Sequence, residues 1–208
     1  MSKINLTNHT LCFGQQFTQL ISSATSFFNN TPVIQLPPST SFNGAGVYAL
    51  YYTGRFTDYS QIVNKSGSQH QLPIYVGKAV PSGARKGKQT NSKASSVLFK
   101  RLNEHSKSIG QAKNIAAIDF KCRFMVFPNN ESGLIGAVES ALIKQHSPLW
   151  NSVIDGFGNH DPGSGRHAQS ISEWDFLHPG RKWASKLTGT KPLLVNINHK
   201  IQEYNLKL

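Results

Sequence analysis

The chain has 208 residues, with 22 Lys and Arg against 10 Asp and Glu, a formal net charge of +12. This length predicts one domain with appendages and leaves room for a real core. A hydrophobic share of 38% argues against wholesale disorder, and no apolar run approaches the ~18 residues of a membrane span. The first eight residues lack the apolar core of a secretion signal. Cys12 and Cys122 stand far apart and cannot make a four-ligand zinc site by themselves.

In chain order, Phe13, Phe17, Leu20, Ile21, Ala24, Phe27 and Phe28 recur at helical spacing, which predicts a helix over 13–28. Leu36-Pro37-Pro38-Ser39 reads as a linker. Gly46 to Tyr52 and Pro73 to Gly77 read as two strands, separated by a polar excursion over 54–71 expected to be a surface loop. Residues 79–94 form a loop rich in Gly, Ser and Lys. A helix is predicted over 97–109, with Leu98, Leu102 and Ile109 on one stripe. Ile118, Phe120, Cys122, Phe124 and Val126 alternate with Asp119, Lys121, Arg123 and Met125, the pattern of a strand with one wet face. A helix over 132–146 ends before Pro148, and a turn-rich tail follows. The order β-β-α-β-α predicts an α+β fold: a small antiparallel three-stranded sheet flanked by helices. Residues 1–43 would be a helical extension, 44–152 the core, and 153–208 a loop-rich extension packed on it.

Charge is concentrated rather than spread. Residues 78–107 hold Lys78, Arg85, Lys86, Lys88, Lys93, Lys100, Arg101 and Lys107 against Glu104 alone. Such a field attracts a polyanion, and nucleic acid is the commonest one. No basic amphipathic anchor speaks for a membrane surface.

Taken singly, Tyr48 and Tyr75 read as strand packing, and Arg101 and His105, four apart on one helix, as solvated residues. Glu139 is less ordinary. Its helical neighbours are Ile135, Val138, Leu142 and Ile143, and a carboxylate beside an apolar stripe must be paired, protonated or bound to a metal. Together these residues resemble the GIY-YIG nuclease superfamily. Gly46-Val47-Tyr48 stands for the GIY element and Tyr75-Val76-Gly77 for the YIG element, followed by Lys78; Arg101, His105, Glu139 and Asn151 match its later polar positions. The resemblance covers roughly residues 44–152. The tail from Trp174 to Ala184 looks like the ending of the type II restriction endonuclease branch, which includes enzymes that cut the palindrome CCGCGG.

The resemblance implies hydrolysis of double-stranded DNA to 5′-phosphate and 3′-hydroxyl ends. Glu139 would hold one Mg²⁺, with Mn²⁺ as a substitute. Arg101 would hold the scissile phosphate, Tyr48 would activate water with His105 relaying the proton, Tyr75 would position water or phosphate, and Lys78 would help lower the Tyr48 pKa. Asn151 would orient Glu139 or a phosphate. Arg85, Lys86, Lys88 and Lys93 would grip phosphates. Asn159, His160, Arg166, His167, His178 and Arg181 are the candidates for reading bases of a G·C-rich site, with loop solvation as the alternative for each.

A palindrome implies a homodimer, with a tetramer as the alternative and the helix at 13–28 as one candidate interface. A companion methyltransferase would be a functional partner, and a bacterial cytoplasm the compartment. Three other readings stand beside this one. Asp119-Phe120-Lys121 with Glu104 upstream offers a PD-(D/E)xK nuclease, although Asp119 and Lys121 also fit the wet face of a strand. A non-catalytic nucleic-acid-binding protein explains the charge but not the joint polar set. A homing or structure-specific GIY-YIG nuclease keeps the fold but usually carries separable DNA-binding modules.

Overall fold

The computed structural model describes residues 4–81 and 95–208. At its centre is strand β2 (Ala45–Tyr52), buried along its whole length. It pairs antiparallel with β3 (Tyr75–Ala79) on one side and β4 (Phe120–Phe127) on the other. Gly46 makes the second pairing feasible: a Cβ there would fall 1.9 Å from the Met125 carbonyl oxygen.

The sheet has four strands rather than three, in the order β1-β4-β2-β3. The added strand, β1 (Ile34–Gln35), pairs with Lys121 and Cys122 of β4. Two residues are too few for alternation to register in the sequence. The Gln35 side chain reinforces the join by donating to the carbonyls of Ile118 (3.0 Å) and Phe120 (2.8 Å).

Both faces of the sheet are covered, so the expected wet face of β4 is corrected. One set of alternate residues, with Tyr48, Leu50, Tyr52, Phe120 and Cys122, packs under α3 (Val97–Ile109), α5 (Leu149–Ser152), α6 (Glu173–Leu177) and α7 (Leu194–Lys207). The other set, with Val47, Ala49, Tyr51, Met125 and Phe127, packs under α1 (Gly14–Asn30) and α4 (Ile135–His146). Arg123, a polar letter of the supposed wet face, donates to the Asn29 carbonyl of α1 and lies 5.6 Å from the centre of the Tyr51 ring.

One further expectation is corrected. The excursion after β2 is not a surface loop. A 3₁₀ turn at Thr57–Tyr59 leads into α2 (Ser60–Ser66), and Tyr59 and Ile62 are buried in the larger core. The C-terminal segment is rich in loops and turns up to residue 193 and then ends in a helix that the turn-rich reading left out. Leu194, Ile197, Ile201 and Tyr204 recur at helical spacing in α7, whose Ile197, Ile201 and Tyr204 are buried. Among the described residues no helix is long and apolar enough to cross a membrane.

Candidate active site

Tyr48 on β2 and His105 on α3 meet beneath the helix. Their side chains are almost wholly buried, and Tyr48 Oη lies 2.6 Å from His105 Nε2. Burial raises the phenol pKa well above its ordinary value, with the Tyr75 charge adding to the rise and Arg101 opposing it. Burial lowers His105 well below an ordinary histidine, and the neighbouring Arg101 adds to that. Both groups are therefore neutral, and with the His105 ring hydrogen on Nδ1 the phenol donates to the Nε2 lone pair. Close packing makes room for this pair. Gly77 faces Tyr48 across the β2–β3 ladder, and a Cβ on it would lie 2.5 Å from Tyr48 Oη.

Tyr75 completes the aromatic layer. Its ring centre is 6.3 Å from Tyr48 and 5.4 Å from His105, and burial raises its pKa as well. Phe157, from the tail, stacks on His105 at 4.7 Å and meets Tyr75 edge-on at 4.8 Å.

Arg101 sits one helical turn before His105. Its guanidinium donates to Glu104 Oε2 (3.1 Å), to the Gly158 carbonyl (3.3 Å) and to His160 Nε2 (2.7 Å). The last two partners come from the turn-rich tail, so His160 lies against Arg101. Sequence reasoning missed Phe157 and Gly158 altogether. The Gly156-Phe157-Gly158 run was visible, but nothing local says that it folds back onto α3.

Glu139, on α4, pairs with Lys78 of β3 at 2.6 Å. The apolar stripe around it thus carries a half-buried carboxylate with a partner, and the Glu139 charge reaches both Tyr48 and Tyr75. Among the described residues no group of three or more His, Cys, Asp or Glu side chains could enclose a metal. A single carboxylate still suits Mg²⁺, which binds through one or two carboxylates and draws its other ligands from water and substrate phosphate.

Asn151 does not touch Glu139 in this arrangement. Its Oδ1 accepts from the Val76 N–H (2.7 Å) and its Nδ2 donates to the Val76 carbonyl (2.8 Å), gripping β3 between Tyr75 and Gly77. Asp119 lies at the far end of β2, beside Tyr52 and Gly54, and Glu104 belongs to Arg101, so no PD-(D/E)xK cluster forms.

The expected DNA-contacting residues divide. Arg85, Lys86, Lys88 and Lys93 lie outside the described residues. Asn159, His160 and Arg166 are exposed and His167 is half-buried. The expectation for His178 and Arg181 needs correction, because both are interior. His178 Nδ1 donates to Asn114 Oδ1 (2.9 Å), while its Nε2 accepts from the Tyr59 hydroxyl (2.5 Å), which accepts in turn from Trp150 Nε1 (3.0 Å). Arg181 is 2% exposed, lies between the rings of Trp174 and Trp183, and pairs with buried Asp175 at 2.5 Å. Polar residues next to a turn-rich stretch look groove-facing in sequence; His178 and Arg181 have instead found internal partners, which makes their burial affordable.

A family model for the Eco29kI GIY-YIG domain matches residues 40–205, so the match takes in the tail as well as the sheet and the polar cluster. No curated protein matches the chain. The two tyrosines and the Arg–His helix meet on one face of the sheet, the Glu139 charge reaches both tyrosines from α4 on the other, and with the family model matched over most of its length the chain belongs to the Eco29kI GIY-YIG family, a restriction-type branch of the GIY-YIG nucleases.

Proposed function

We propose that the protein is a type II restriction endonuclease that hydrolyses double-stranded DNA at a short, G·C-rich palindrome of the CCGCGG kind. It acts as a homodimer with one Mg²⁺ per site, or Mn²⁺ in its place. The observation that carries the reading is the 2.6 Å contact between Tyr48 and His105 beside Arg101.

The residues divide the chemistry among them. The phenol oxygen of neutral Tyr48, which Arg101 also approaches, keeps a lone pair that can accept a proton from water. As it does so, its own proton passes along the existing hydrogen bond to His105 Nε2. No free phenolate forms, which matters because burial opposes one. The resulting hydroxide attacks phosphorus, the P–O3′ bond breaks, and the 3′ oxygen takes its proton from solvent. Arg101 holds the phosphate and offsets the charge that builds on it. Tyr75 and Phe157 wall the layer and keep His105 in plane. Glu139 is the residue that would hold the cation, and Lys78 balances its charge. The cation would supply electrostatic stabilisation of the phosphate and the leaving oxygen.

Base reading falls to exposed Asn159 and Arg166 and half-buried His167 in the tail, together with the basic stretch Arg85, Lys86, Lys88 and Lys93 as phosphate contacts. The pairing surface is α1. It has no charged residue, and Phe17, Leu20 and Phe27 are exposed on it, with Phe13 exposed just before its first turn. On a chain of net charge +12 this uncharged face suits a second copy better than DNA.

Plasmid DNA incubated with Mg²⁺ tests the reading. Discrete fragments are expected from the wild type, while Glu139→Ala and Tyr48→Phe should bind DNA without cutting it. Nicking confined to branched DNA, or normal cutting by Glu139→Ala, would refute it.

A further inference from the structure

We infer that His160 is a positioning residue for Arg101: its imidazole, presented by a loop that Arg181 locks in place, accepts a hydrogen bond from the guanidinium and aims it at the phosphate. The inference rests on the proposed role of Arg101.

A guanidinium donates and never accepts. The 2.7 Å contact between Arg101 Nη1 and His160 Nε2 therefore requires a lone pair on Nε2, with the ring hydrogen on Nδ1. It is the shortest of the three Arg101 contacts; those to Glu104 Oε2 and the Gly158 carbonyl are 3.1 and 3.3 Å. A lone pair given to Arg101 cannot also read a base edge.

The loop that carries His160 is braced from below. Arg181 donates to the carbonyls of Gly156 (2.8 Å), Phe157 (3.0 Å) and Asn159 (3.3 Å), its two remaining donors go to Asp175, and Ser108 Oγ shares the Nη1 hydrogens at 3.3 Å. Three consecutive-turn carbonyls on one buried cation leave the backbone just before His160 little freedom. Phe157, held by the same cation, stacks on His105. One strut thus sets both the imidazole that takes the proton and the acceptor that orients the guanidinium. A long, flexible arginine side chain gains most from such fixing, because its lost rotamer freedom is met before substrate arrives.

The test measures single-turnover cleavage of supercoiled plasmid in Mg²⁺ as a function of enzyme concentration. It compares the wild type with His160→Ala, His160→Gln, His160→Asn and Arg101→Ala, each checked by thermal melting. Gln can place an amide oxygen near the position of Nε2; Asn is one bond short. His160→Ala and His160→Asn should lower the maximal rate about tenfold to a hundredfold with little change in half-saturation. His160→Gln should recover most of the rate.

If Gln falls with Ala and Asn, or if Ala keeps the wild-type rate, the positioning role is wrong. A raised half-saturation point at unchanged maximal rate would make His160 a DNA contact and also overturn it. If Arg101→Ala cuts normally, the underlying reading fails and this inference with it. Inactive Arg101→Ala beside unaffected His160→Ala removes only the inference. Should any variant melt lower, the Gln and Asn variants compared below both melting points still decide.

Discussion

Gly77 and Tyr48 face each other across the β2–β3 ladder so closely that a methyl group on Gly77 would lie 2.5 Å from the tyrosine oxygen. The glycine of the Tyr75-Val76-Gly77 element thus belongs to the chemistry as well as to the β2–β3 ladder. Gly77→Ala should push the phenol off His105 and lower the cleavage rate by about a hundredfold, the usual cost of a displacement near 1 Å. Folding should survive, as judged by circular dichroism, because the neighbour that must shift is a side chain. Undiminished cutting by this variant would remove Tyr48 from the proton path.

The acid limb of the pH–rate profile should lie low. His105 accepts a proton only when neutral, and burial together with Arg101 holds its pKa well below 6.5. Activity should therefore persist as pH falls through 6.5 and fade only at the lower folded value. The profile of kcat/KM reports the free enzyme and is the one to measure. A limb centred at or above 6.5 would assign the base to another group.

Stability should decline over a wider acid range. Burial lowers the His178 pKa from 6.5 to about 3. Between those values the unfolded chain binds a proton that the folded chain refuses, so stability present above 6.5 is lost as pH falls toward 3. The slope is at most about 1.4 kcal/mol per pH unit for this group, and His105 contributes in the same sense. Urea melts at a series of pH values should show the decline, and His178→Gln should flatten it. Since that variant is interior and could fail to fold, the wild-type imidazole resonances provide an independent check: His178 should stay neutral at pH 5.

The uncharged α1 face predicts its own outcome. Phe13 and Phe27 are 65% and 63% exposed. Covering such a ring is worth about 1.5–3 kcal/mol, so Phe13→Glu with Phe27→Glu should weaken self-association more than tenfold. Sedimentation should then show a monomer that nicks plasmid rather than cutting both strands. A double variant that sediments like the wild type would move the interface elsewhere.

Much of the polar cluster was legible because its members sit in regular elements. Tyr48 and Tyr75 announce themselves on short strands, and the spacing of Arg101 and His105 survives translation into a helix. What stayed hidden depends on long-range closure. Phe157, Gly158 and His160 reach α3 only because Arg181 pins their loop, and no local pattern encodes that. His178 and Arg181 misled for the complementary reason: sequence shows a polar side chain but not whether an interior partner awaits it. Tyr59 and α7 were recoverable, since Phe56, Tyr59 and Ile62, and later Leu194, Ile197, Ile201 and Tyr204, already follow helical spacing. The two-residue strand β1 was not, being shorter than any period.

The amide of Asn151 bears on more than β3. Val76 stands on an outermost strand, where a bare N–H and C=O invite a foreign chain to dock by backbone pairing. Asn151 occupies both groups as a neighbouring strand would, and the Trp150 N–H takes the Ile74 carbonyl nearby. The stretch of rim at Ile74 and Val76, nearest the tyrosines, is thereby closed to amyloid-like extension without a fifth strand that would shut the site away from its duplex.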